Sequence, residues 1–321
     1  MGLYALCFAG SGFILIGAWE ALVSSYARLN PSSSPPPNQT TRTKPFFSSV
    51  SSFAIALFSV FFIINSIFSL IDALNSNDRV GLPLQLEIIA TASLFLLYSI
   101  ASLLIDFSDS LPLPSSILNL IAFFAFVQEF LLFYLQRKDP SGIENRYFDL
   151  LLVPITVCIF STLLELGSPK SNFPRLARGV GLILQGTWFI QMGFSFFSNL
   201  MAHGCSFHGK SRGNYTVKCK GHPEYHRGRA IATLQFNCHL ALLVVLIVGV
   251  YSIIAPKYRA FGNYMNYRPL GSELQQLDNQ TQFTLDSDDE DDGEIKEEEN
   301  VEKQKAAVLV SASGVNGYGS H

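Results

Sequence analysis

Two groups of residues in this chain have the types and spacing to do chemistry. The first lies in the polar stretch MAHGCSFHGKSRGNYTVKCKGHPEYHRG, which brings His203, Cys205, His208, Cys219, His222 and His226 close together in sequence. Cys-x2-His and His-x3-His spacings are within reach of a tetrahedral metal, zinc or copper. A disulfide between Cys205 and Cys219 is the competing state, natural if this stretch faces an oxidising compartment. The two readings exclude each other for the cysteines. A site of histidines alone, His222 with His226, is compatible with either.

The second group consists of polar residues inside long apolar runs: Glu129, Glu165, Gln185, Gln191 and His239, with Trp188 between the two glutamines. Burying a carboxylate such as Glu129 of AFVQEFLLFYL in a bilayer costs about 2.5–3.5 kcal/mol on insertion scales unless it is paired or protonated. Gln185, Trp188 and Gln191 share one broad side of a helix. Amides facing lipid would lack partners, so that side should face other helices or a wet cavity. If these groups converge, they form a cluster able to bind a small ligand, an ion or a proton; the plain alternative is helix-to-helix packing. A carboxylate with an imidazole, Glu129 with His239, also raises an intramembrane lipid hydrolase as a second reading. Zinc hydrolysis wants several histidines, however, and only His239 lies in an apolar run. Nucleotide-binding loops, nucleophile elbows and HExxH are absent. No residue is therefore assigned as catalytic, and no cofactor follows.

The elements that must position these residues are helices in a membrane. The chain is 49% hydrophobic and 15% charged and carries 27 Phe, which a soluble domain of 321 residues could not keep off its surface. Residues 260–321 hold 4 Lys/Arg against 13 Asp/Glu, net −9, which leaves the remainder at +6. Basic residues are scattered through connectors and line no single face, which argues against nucleic acid as a partner. Apolar runs of about 20 residues, the length needed to cross a hydrocarbon core of about 30 Å, place spans at about 3–27, 46–74, 83–107, 115–136, 145–167, 174–199 and 230–255. The expected fold is all-α: a seven-span membrane domain over residues 1–256, then a disordered acidic tail over 257–321.

The first run has no basic residue ahead of it and reads as a retained span, not a cleaved signal peptide. Gly17 and Ala21 sit one turn apart on it and allow a close helix neighbour, and Glu20 reaches either the headgroups, the favoured reading, or a partner inside the bundle. Pro154 is expected to kink the fifth helix and Pro256 to stop the seventh. Cys7, Cys158 and Cys238 read as small buried hydrophobes. Arg28, Arg42 and Lys44 after the first span favour an N-terminus outside and a cytosolic tail, in an endomembrane or the plasma membrane. In that arrangement Asn214 of NYT is a glycosylation acceptor. The run DSDDEDD, Asp286 to Asp292, cannot bury enough apolar surface to order itself. Ser287 within it is a candidate for an acid-directed kinase, and Tyr267 to Leu270, YRPL, matches the Tyr-x-x-apolar pattern that sorting adaptors read. A third reading is thus a scaffold acting through its tail.

The stretches QGTWFIQMGF at Gln185 to Phe194, EFLLFYL at Glu129 to Leu135, Leu-Leu-Glu at Leu163 to Glu165 and FNCHLAL at Phe236 to Leu242 resemble the transmembrane protein 45 family. The longer GKSRGNYTVKCKGHPEYHRGRAIATLQFNCHLAL resembles its plant branch. The resemblance covers nearly all of residues 1–256. It implies a seven-span protein with no established biochemical activity, and it brings no catalytic assignment. Family members commonly carry histidines just after the fourth-helix Glu and at the start of the fifth helix. This chain has Gln136 and Lys138, then Arg146 and Phe148, at the matching places. Only Glu129, Glu165, Gln185, Gln191 and His239 carry over by position.

Overall fold

The structure, a computed structural model, describes residues 2–29, 46–107, 114–137, 139, 141–168, 171–198 and 202–265. Seven helices among them are long and apolar enough to cross a membrane: α1 (Leu3–Leu29), α2 (Phe46–Asn75), α3 (Gly81–Phe107), α4 (Ser115–Leu135), α5 (Glu144–Gly167), α6 (Phe173–Phe197) and α7 (His222–Met265). They form an all-α bundle, the fold of a multi-pass integral membrane protein. Tyr267, Leu270, Ser287 and the acidic run lie outside the described residues.

The close partner of α1 is α6. A methyl built on Gly10 would come within 2.5 Å of the Gly186 carbonyl oxygen, and one built on Gly17 within 2.6 Å of that of Gly179. Rising numbers on one helix meet falling numbers on the other, so the two run antiparallel with their backbones in contact. Ala21 joins the seam, its Cβ 3.2 Å from the place a Gly179 methyl would take. Small residues permit this approach, and dispersion between the backbones replaces the hydrophobic drive that lipid does not provide. α2 and α3 are instead joined by polar contacts, Ser52 with Ser102 at 2.7 Å and Ser49 donating to Asp106 at 3.0 Å.

Three local expectations need correction. α7 starts at His222, eight residues before the apolar run at 230, because Pro223 is tolerated in a first turn where its missing N–H is not needed and Glu224 there suits the helix dipole. The same helix continues through Pro256 to Met265; in a membrane protein neighbouring groups can satisfy the carbonyl a proline frees. The connector between α6 and α7 contains an antiparallel hairpin, β1 (Cys205–Ser211) and β2 (Asn214–Cys219), with Cys205 opposite Cys219. Those two cysteines are joined in a disulfide.

Candidate functional site

Glu129 sits on α4 about two turns before its end and is 4% exposed; Gln185, midway along α6, is 0% exposed. The amide Nε2 of Gln185 donates to Glu129 Oε1. The other oxygens of both side chains, Glu129 Oε2 and Gln185 Oε1, are buried with no hydrogen-bond partner among the described residues. Gln85, in the first turns of α3 and 2% exposed, has a third such oxygen, Oε1. An unmade hydrogen bond at a buried oxygen costs about 1–3 kcal/mol, and Ser66 Oγ and Asn145 Oδ1 are further cases among the described residues.

Two of these residues, Glu129 and Gln85, line one cavity of about 100 Å³. Glu129, Gln85 and Gln136 form its polar lining, and Phe13, Phe133 and Met192 are among its apolar walls. A second cavity of about 100 Å³ adjoins it, sharing Phe13, Phe62 and Phe95, and is walled by Ile16, Ile55, Phe58 and Leu182. One end of the combined space therefore holds the polar side chains, and the other is walled by hydrocarbon apart from Ser59.

The hairpin covers the polar end. Gly213, at its turn, and Tyr215 both line the first cavity, and Gln85 lies so close to Gly213 that a methyl there would be 2.0 Å from its Nε2. Three carboxylates pin the hairpin to the bundle. Asp78 Oδ2 accepts from Ser211 Oγ at 2.8 Å and Asn214 Nδ2 at 2.7 Å. Asp72 accepts from the Arg212 N–H at 2.8 Å, and Glu144 from the Val217 N–H at 2.9 Å. Burial acts to raise the Asp78 carboxyl, but donors from Asn214, Ser211 and the backbone N–H groups of Gly81 and Val80 outweigh it and hold the group at about 2. Burial pushes the Tyr215 phenol up, with the charge of Glu144 adding to it.

The remaining residues singled out by sequence do not join this cluster. Glu165 accepts from Arg178 Nη1 at 2.5 Å and Arg175 Nε at 2.6 Å. Arg178 also reaches Glu20 through Nε at 2.9 Å and through Nη2. Glu20 thus pairs inside the bundle, the less favoured of its two expected places, because Arg178 in the second turn of α6 reaches it. Gln191 donates to Ser195 on its own helix at 3.1 Å. Trp188 is fully buried, its indole N–H donating to the Tyr147 carbonyl at 3.0 Å and its ring stacked on Tyr147. His239 meets Trp188 edge to face, centroids 6.0 Å apart, and does not line the cavity that holds Glu129.

At the hairpin, the disulfide removes both cysteines from metal chemistry. His208 Nε2 lies 3.0 Å from Ser206 Oγ. His222 and His226 approach to 3.2 Å, but among the described residues no three His, Cys, Asp or Glu gather as a metal set. The four-histidine arrangement with His203 and His208 is therefore not formed. Asn214 is buried, and its Nδ2 donates to Asp78 Oδ2.

Sequence reasoning missed Gln85 and Arg178. Gln85 carries the same signal that drew attention to Gln185, an amide within an apolar run, here in GLPLQLEIIA. Arg178 follows only three residues after Arg175, close before the apolar run, and its reach toward Glu20 and Glu165 depends on helix rotation.

Residues 115–252 match the model of a family described as "Family of unknown function (DUF716)". No curated protein matches the chain.

Proposed function

We propose that this chain binds, within the bilayer, a small amphiphile headed by a hydrogen-bond donor. The observation that carries this reading is that Glu129 and Gln85, each with a buried oxygen that has no partner among the described residues, line the same cavity. Acceptors that face a cavity ask for a donor, which means a protonated amine or a hydroxyl. Gln185 gives Glu129 one hydrogen bond, and a donor on a bound molecule would supply the second. The adjoining cavity, walled by phenylalanine and isoleucine, suits a hydrocarbon tail. The hairpin lies across the polar end, so the tail side is the natural route for a molecule already dissolved in lipid.

The disulfide favours placing the hairpin, and with it the start of α1, on the exterior or lumenal side, with the end of α7 in the cytosol. The matched family includes the transmembrane protein 45 proteins, which supports placing the chain with them. The hydrolase reading would need His239 beside Glu129, and the imidazole is instead packed on Trp188.

The test uses photoreactive long-chain amine, alcohol and carboxylate probes of equal tail length on the full chain in lipid nanodiscs. Labelling by the amine or the alcohol, mapped to α3 or α4, and its loss in Glu129→Leu and Gln85→Leu, is the expected result. The carboxylate should label weakly, since it would set a second carboxyl group against Glu129. Equal labelling by all three probes, or labelling that survives both substitutions, would overturn the reading.

A further inference from the structure

We propose that His222 and His226 form a two-point site for a divalent transition metal, zinc foremost, on the first turns of α7. It stands apart from the amphiphile cavity and rests on a separate observation. The two residues are four apart on one helix face, and their Nε2 atoms lie 3.2 Å from each other. Two nitrogens bound to one zinc at about 2.0–2.1 Å, at a near-tetrahedral angle, are about 3.3–3.4 Å apart. The pair therefore already has the bite of a zinc ligand pair. Two ring nitrogens in contact cannot both carry a proton pointing at the other, so at least one presents its lone pair, the form a metal requires.

The surroundings hold the pair in place and open. Both rings are exposed. The Tyr225 ring meets that of His226 edge to face at 5.7 Å. Just before the helix, Lys220 N–H donates to the Gly204 carbonyl at 2.9 Å, and the Cys205–Cys219 disulfide ties the hairpin beside it. A cation at a helix N-terminus is disfavoured by the dipole, and Glu224 in the first turn offsets that. The nearby Arg227 guanidinium is engaged by the His203 carbonyl at 3.1 Å. With two protein ligands, the other positions of a tetrahedral ion are left to water or to a donor from another molecule, which makes this an open site and not a structural one.

The experiment titrates the full chain, purified in detergent with a non-histidine affinity tag, with zinc chloride followed by calorimetry. One zinc per chain should bind, with affinity falling at least about tenfold in His222→Gln and in His226→Gln and holding in His208→Gln. Copper(II) in place of zinc should give an electron paramagnetic resonance spectrum with two nitrogen couplings, reduced to one in either single variant. Thiol alkylation, with two cysteines reactive only after reduction, verifies that each variant keeps the folded hairpin. No zinc binding, binding indifferent to both substitutions, or equal loss in His208→Gln would overturn the proposal.

Discussion

Gly17 on α1 and Gly179 on α6 lie back to back, so close that a methyl on either would come within 2.6 or 2.7 Å of the other's carbonyl oxygen. Neither position has a flexible side chain to give way. Gly17→Leu or Gly179→Leu should force the helices apart and destabilise the protein by about 1–3 kcal/mol, the usual cost of overpacking. Gly249→Ala, where nothing lies within 4 Å, should be neutral or slightly stabilising, since alanine favours a helix interior by roughly 0.5–1 kcal/mol. Melting temperatures of the purified variants in one detergent compare the three. Equal melting of Gly179→Leu and Gly249→Ala would contradict the seam.

Asp78 is the hairpin's anchor, and its carboxyl, 3.8 when free, is held at about 2. A group depressed in the folded state contributes stability that is complete above its unfolded value and is lost as pH falls through the folded one. The hairpin should therefore loosen between about pH 4 and pH 2, losing roughly 2 kcal/mol. Asp78→Asn should weaken the anchor already at neutral pH and flatten this acid dependence. Hydrogen exchange of the amides of 205–219 reads both effects, with rates at neutral pH rising by some tens of fold in the variant. Unchanged exchange would mean that Asp72 and Glu144 hold the hairpin without it.

Arg178 stands between two carboxylates, Glu20 and Glu165, with its own side chain mostly covered. Removing it as Arg178→Gln leaves those acids facing each other and should cost about 3–5 kcal/mol, as for other broken buried pairs. Arg178→Lys should rescue little, because a single ammonium cannot span both carboxylates as the guanidinium fork does. The triple variant with Glu20→Gln and Glu165→Gln should recover much of the loss. Steady-state abundance and melting of the three proteins decide the matter, and a triple variant worse than Arg178→Gln would count against the pairing.

The membrane bundle was legible in the sequence because span length and apolar content are set by the bilayer itself. The starts and ends of α2 and α3 fall within two residues of where the apolar runs place them. What the sequence did not carry is the rotation of each helix about its axis. Glu129 and Gln185 meet, but Glu165, Gln191 and His239 turn to other neighbours, and nothing in the spacing of one helix fixes the face its partner presents. The hairpin escaped notice for another reason. SFHGKS and NYTVKC alternate too weakly to read as strands, and they are held by Asp72, Asp78 and Glu144, carboxylates distant in sequence. The start of α7 did leave a signal, a proline one residue in with an acid beside it, outweighed by attention to hydropathy.

The glycine seam has a bearing on biogenesis. α1 leaves the ribosome well before α6, so the surface it fits arrives only when α6 has been made. Until then its bare backbone ridge has nothing of matching shape beside it in the lipid. A chain cut short after α5 would carry that ridge unmated, a mark by which quality control could recognise an unfinished molecule.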